Sequence, residues 1–179
     1  NNQTLWEYAL NQEMERSGRT REELREQMDQ SLSVMERSAQ KARREPVRSV
    51  SGLTGGNACL YEQYRQEGKS LLGEVASLAV GMALSCSEIN ASMQCIVACP
   101  TAGSCGIVPA AVLACAQSRG LDRECMVNAL FTASAIGIII GSRATVSGAE
   151  GGCQAECGAA AAMGAAAVTE MLGGSPEAA

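Results

Sequence analysis

From Leu71 to Met171 the chain runs through long apolar segments made almost entirely of small side chains, and this limits its fold more than any other feature. Aromatic residues are only 3% of the sequence. Alanine, glycine, serine and cysteine must therefore fill the interior, which requires backbones to approach closely. Strands favour aromatic and β-branched residues, so packed helices are expected rather than a sandwich. The pattern predicts an all-α fold with helices over roughly 72–98, 107–117, 121–140 and 153–171, joined by glycine-marked loops at 99–106 and 141–152. Over Ile136 to Gly141, "IGIIIG", β-branching favours a strand and the preceding helical run opposes one.

Residues 1–45 have a different composition, charged and helical in pattern. "TREE" offers Thr20 and Glu23 as a capping box for a long helix. Leu24, Met28, Leu32, Met35, Ala39 and Ala42 form one apolar stripe, expected to pack on the core or on a second copy of the chain. Pro46 stops that helix, and a glycine- and serine-rich loop is expected over Arg48 to Ala58. The expected organisation is an N-terminal arm, 1–45, and one helical domain, 46–179. A length of 179 residues at 46% hydrophobic suits one main core.

A net charge of -5 without a long basic run argues against a nucleic-acid partner, and "KARRE" at Lys41 to Glu45 reads as a solvated helix end. The nine cysteines are odd in number and irregularly spaced, with no signal-peptide pattern before them. Reduced thiols in the cytoplasm are expected. Cys86, Cys95, Cys99, Cys115 and Cys125 sit in apolar stretches read as helical and are expected to act as core filler. No charge falls between Glu124 and Arg143, yet Asn128, Thr132, Ser134 and Ser142 interrupt the stretch. A buried helix is expected there, not a membrane span.

Two loops can carry chemistry. "CPTAGSCGIVPA", Cys99 to Ala110, joins two helices, so Gly103, Ser104, Cys105 and Gly106 can turn N–H groups toward a carboxylate or phosphate; an ordinary capped helix start is the equal alternative. "SGAEGGCQAECG", Ser147 to Gly158, places Cys153 and Cys157 one turn apart at the mouth of an alanine helix, where a helix N-terminus favours the metal-binding thiolate. Core packing is the competing reading. The only lysines are Lys41 and Lys69, in polar segments, which argues against pyridoxal phosphate. Without histidine there is no serine or cysteine triad. "GKS" at Gly68 to Ser70 has Gln63 where a phosphate-binding loop of that type has glycine. Carboxylates, hydroxyls, backbone donors and thiolates remain, a set that suits a cluster acting as a Lewis acid.

"EINASMQCIVACPTAGSCGIVPA" (Glu88 to Ala110), "SGAEGGCQAECG", "TGGNA" (Thr54 to Ala58) and the "GGSPEAA" ending resemble the alpha chain of bacterial iron-sulfur L-serine dehydratase, or L-serine deaminase. The resemblance runs from about Leu53 to the end and is loose over 1–45. It implies an all-helical catalytic domain and a 4Fe-4S cluster held by three cysteines with one open iron, without pyridoxal phosphate. L-Serine would bind that iron, lose its α-proton and expel hydroxide, and the aminoacrylate would hydrolyse to pyruvate and ammonia. Coordination offsets the poor leaving ability of hydroxide.

By the same resemblance Cys153 is a cluster ligand, Cys157 stands where the family has a branched aliphatic residue, and Cys105 belongs to the substrate loop. Thr101, Ser104 and Cys105 are the catalytic candidates. Ala102, Gly103 and Gly106, with Thr101 and Ser104, are expected around the substrate carboxylate, and Asn57 and Asn90 in support. The family's other ligand cysteines lie in a C-terminal continuation, and a histidine-bearing motif lies in a beta subunit or domain. This chain alone is accordingly expected to be inactive and to need both. Two alternatives stay open: a non-catalytic metal-binding module using Cys95, Cys99, Cys153 and Cys157, and a cysteine desulfidase-like enzyme.

Overall fold

Two threonine–glutamate capping boxes open the first helices. Thr20 accepts from the Glu23 N–H at 3.2 Å while the Glu23 carboxylate accepts from the Thr20 N–H at 2.8 Å, and Thr4 and Glu7 repeat the pattern. Each cap contributes about 1 kcal/mol. The computed structural model describes residues 3–179, which form α1 (Leu5–Ser17), α2 (Arg21–Arg44), α3 (Asn57–Gln66), α4 (Glu74–Ala91), α5 (Ile107–Arg119), α6 (Arg123–Arg143), the short α7 (Gly148–Gly151) and α8 (Cys153–Met171). The fold is all-α. Among the described residues the only β feature is one isolated bridge between Arg48 and Gly55. "IGIIIG" continues α6, because its apolar residues extend a helix that Asp122 already caps through the Cys125 N–H at 2.8 Å.

The small residues do what their size allows. α5 is the central helix, burying Val108, Pro109, Ala110 and Val112 to Ala116 against α2, α4, α6 and α8. A Cβ on Gly164 of α8 would stand 3.3 Å from the Ala111 Cβ, and one on Gly106 would stand 2.7 Å from the Ala83 carbonyl oxygen of α4. Larger residues would push these helices apart. The α2 stripe packs along α4, with Leu24, Leu32, Met35 and Ala39 in the same core as α5 and α6.

Two expectations about helix limits are corrected. The segment read as one helix over 72–98 is helical only over Glu74–Ala91. Its end is a Schellman motif: the Gln94 N–H bonds to the Ile89 carbonyl at 3.1 Å, the Met93 N–H to that of Asn90 at 3.0 Å, and Met93 takes φ 60°. Cys95 and Cys99 therefore do not share a helical face; Cys95 is exposed and Cys99 is a buried loop residue. The loop expected over Arg48 to Ala58 gives way to α3 at Asn57, where the Glu88 carboxylate accepts from the Asn57 and Ala58 N–H groups at 2.6 and 3.3 Å.

α6 is the one described helix long and apolar enough to cross a membrane by length and composition. Its polar groups are bound within the fold. Asn128 accepts from Arg25, Thr132 donates to Glu170, and Ser134 donates to the Leu130 carbonyl.

Candidate active site

The loop that begins α5 stands on the central helix, so its position is set by the core beneath it. Ser104 is 2% exposed and turns inward, its hydroxyl donating to the Cys99 carbonyl at 3.2 Å and lying 3.2 Å from the Thr101 hydroxyl. Cys105 is equally buried, with its thiol directed toward the Cys86 carbonyl. Burial pushes the Cys105 thiol up, and pushes those of Cys86 and Cys99 up to about 11 and about 12, with neighbouring thiols adding to the effect. These groups hold the loop from inside. Gly106, also buried, lets the loop close onto α4.

The outer side of the loop is formed by Thr101, Ala102 and Gly103. Ala102 and Gly103 are exposed. The N–H groups of Cys105 and Ile107 are taken up by the carbonyls of Ala102 and Ser104, while those of Ala102, Gly103 and Ser104 meet no internal acceptor among the described residues. Asn90, on the last turn of α4, donates from Nδ2 to the Ala102 carbonyl at 3.0 Å and fixes the turn from below. Asn57 is exposed; its backbone is tied to Glu88, and the second oxygen of Glu88 is buried without a hydrogen-bond partner.

α8 meets this loop. Glu156 reaches from its first turn so that the Thr101 hydroxyl donates to Oε2, and a Cβ on Gly103 would lie 2.5 and 2.8 Å from the two carboxylate oxygens. Gly148 of α7 closes on the same carboxylate, with Oε1 3.1 Å from where its Cβ would be. The second glycine-rich loop is thereby brought against the first. Cys153 opens α8 and is exposed, three residues before Glu156 and above a first turn with no side-chain cap. Cys157 is half-buried one turn on.

The structure thus joins Thr101, Ala102, Gly103 and Asn90 with the helix that carries Cys153, while Ser104 and Cys105 face the core. Asn57 connects to the group only through Glu88 on α4. Among the described residues no three cysteine, aspartate or glutamate side chains gather to hold a metal, and the extended path of Cys95 to Cys99 removes the basis of the four-cysteine alternative. The sequence reading did not single out the carboxylates of Glu88 and Glu156 as partners of these loops. Their signal was faint: one acid inside an apolar helix and one three residues from the candidate ligand.

The model of the serine dehydratase alpha chain matches residues 1–179, the full length of the sequence. The chain belongs to the serine dehydratase alpha chain family. It is 48% identical over 166 residues to a probable L-serine dehydratase alpha chain of Bacillus subtilis, covering 93% of this chain and 55% of the relative. To the L-serine dehydratase alpha chain of Peptoniphilus asaccharolyticus it is 43% identical over 173 residues, covering 97% of this chain and 59% of that one. An L-serine dehydratase of Streptomyces coelicolor is 33% identical over 176 residues, 94% of this chain and 38% of the relative. The chain spans little more than half the length of these two alpha-chain relatives. No solved structure matches it.

For an iron-sulfur cluster, the donor set at the mouth of α8 is one accessible thiol, Cys153, beside open backbone N–H groups and the open space at Gly152. It fits one corner of a cluster.

Proposed function

We propose that this chain is the part of a cytoplasmic iron-sulfur L-serine dehydratase that seats the substrate and supplies one cluster ligand. The observation that carries the reading is the junction of the Thr101–Gly106 loop with the start of α8 through Thr101 and Glu156. The open N–H groups of Ala102 and Gly103 take the serine carboxylate. Thr101, whose one hydroxyl proton goes to Glu156, ties the seat to α8; Asn90 fixes the turn, and Ser104 and Cys105 hold the loop to the core. Cys153 holds one iron, and the remaining ligands and the base that removes the α-proton come from further segments and a beta partner. When bound, the cluster supplies Lewis-acid stabilisation of the departing hydroxide. Preorganised loop donors save the ordering cost that a mobile loop would incur on binding.

Purified without oxygen and assembled with its beta partner, the full-length protein should be brown and convert L-serine to pyruvate without added pyridoxal phosphate. Cys153→Ser should abolish both iron content and turnover, and Cys157→Val should preserve both. Full iron content in the Cys153→Ser protein would overturn the ligand assignment. Expressed alone, the 179 residues should retain no four-iron cluster after anaerobic reconstitution.

A further inference from the structure

We propose that Glu156 holds the α-ammonium group of the amino-acid substrate and so makes the site select amino acids over acids that lack the ammonium. The inference rests on the reading of the Thr101–Gly106 loop as the carboxylate seat and adds the group that reads the other half of the zwitterion.

The carboxylate of Glu156 is lodged between two glycines, one in the loop before α5 and one at the start of α7, each so close that a Cβ at Gly103 or Gly148 would press on it. Its Oε2 accepts from the Thr101 hydroxyl, which fixes the orientation of the group. No hydrogen bond reaches Oε1 among the described residues, and none of their ion pairs includes Glu156. A half-buried carboxylate with a fixed orientation, one open oxygen and no counter-ion lacks a cationic donor. In an α-amino acid, carboxylate and ammonium share one carbon. A substrate carboxylate seated on the Ala102 and Gly103 N–H groups therefore carries its ammonium to the edge of Gly103, where the Glu156 oxygens lie. A simple latch between α8 and the loop would need only the Thr101 contact; the open oxygen and the second glycine would have no use.

The test uses the full-length dehydratase with its beta partner and two competitive inhibitors, L-alanine and propionate, which differ only in the α-ammonium. Glu156→Gln should raise the inhibition constant of L-alanine about tenfold or more, the loss of one charge-assisted contact. That of propionate should stay unchanged or fall, because a repelling charge has been removed, and iron content should be unaffected. Equal weakening of both inhibitors would make Glu156 a structural latch and overturn the inference. So would a loss of turnover with L-alanine binding intact. If neither compound competes with serine in the unaltered enzyme, the carboxylate seat itself is wrong and the reading beneath fails first. Glu156→Asp is the companion variant, keeping the charge on a shorter arm: it should weaken L-alanine while preserving its preference over propionate. L-Alanine binding equal to the unaltered enzyme would overturn the contact.

Discussion

The two ends of α8 use the same pair of side chains for different ends. Near its C-terminus Glu170 accepts from the hydroxyl of fully buried Thr132 and, through its other oxygen, from the Leu5 N–H at 2.8 Å, so one carboxylate joins α8 to α6 and caps α1. Near its N-terminus Glu156 accepts from Thr101 and leaves its other oxygen open against exposed Gly103, three residues along the helix from exposed Cys153. A carboxylate with both oxygens occupied inside a protein is a structural fastener. One held in place with an oxygen to spare is positioned for a ligand.

The difference should be plain in stability. Glu170→Ala removes a charge-assisted cap and strands the Thr132 hydroxyl in the core, at a cost of about 3 kcal/mol. Glu156→Ala should cost about 1 kcal/mol or less, since Thr101 is only half-buried and keeps Ser104 as a partner. Urea unfolding of the two variants decides it; equal losses would break the contrast between the two ends.

Glycines at the loop sharpen it. In Gly106→Ala the new Cβ meets the Ala83 carbonyl, which belongs to the backbone of α4 and cannot yield, so about 2 kcal/mol should be lost. In Gly103→Ala the obstacle is the far end of a glutamate side chain, which can swing away. Thermal stability of Gly103→Ala should stay within about 0.5 kcal/mol of the parent, as expected for a surface change away from the core. Its serine KM in the assembled enzyme should rise, because Glu156 has been displaced. A Gly103→Ala protein with normal KM would mean that this carboxylate does not meet substrate.

How much of this was legible in the sequence depended on whether a contact was local. The capping box at Thr20 and Glu23 lies within four residues and is plain in the sequence, as is the all-α fold from its small apolar residues. The end of α8 is marked by Gly173, whose N–H closes onto Glu170 while that of Gly174 closes onto Thr169, and the expected and observed ends coincide at Met171. The end of α4 is closed by the same bonds, but with Met93 in the left-handed position. Nothing in a methionine announces that conformation, so the apolar pattern extends to residue 98 where the helix ends at Ala91, and the path of Cys95 and Cys99 is not visible in it. Likewise Cys153 and the Thr101–Gly106 loop could be singled out, but Glu156 and Thr101 are 55 residues apart and are joined only by tertiary packing.

Thiol chemistry gives the smallest effect on stability and a wide contrast in reactivity. The attacking species in alkylation is the thiolate, and burial raises Cys86 to about 11 and Cys99 to about 12, so both carry almost no thiolate at pH 8 and are also shielded from reagent. Cys153 and Cys95 are exposed. At pH 8, mass spectrometry after brief iodoacetamide treatment of the folded chain should find Cys153 and Cys95 modified and Cys86 and Cys99 intact, with the buried pair reacting only after denaturation. The modified chain should unfold at the same urea concentration, because neither exposed thiol packs in the core, and yet lose its capacity to contribute a ligand when assembled into the holoenzyme. Early modification of Cys99 would mean that the loop opens from its inner side. The inward bonds of Ser104 and Cys105 would then be too weak to preorganise the seat on which Thr101 and Glu156 converge.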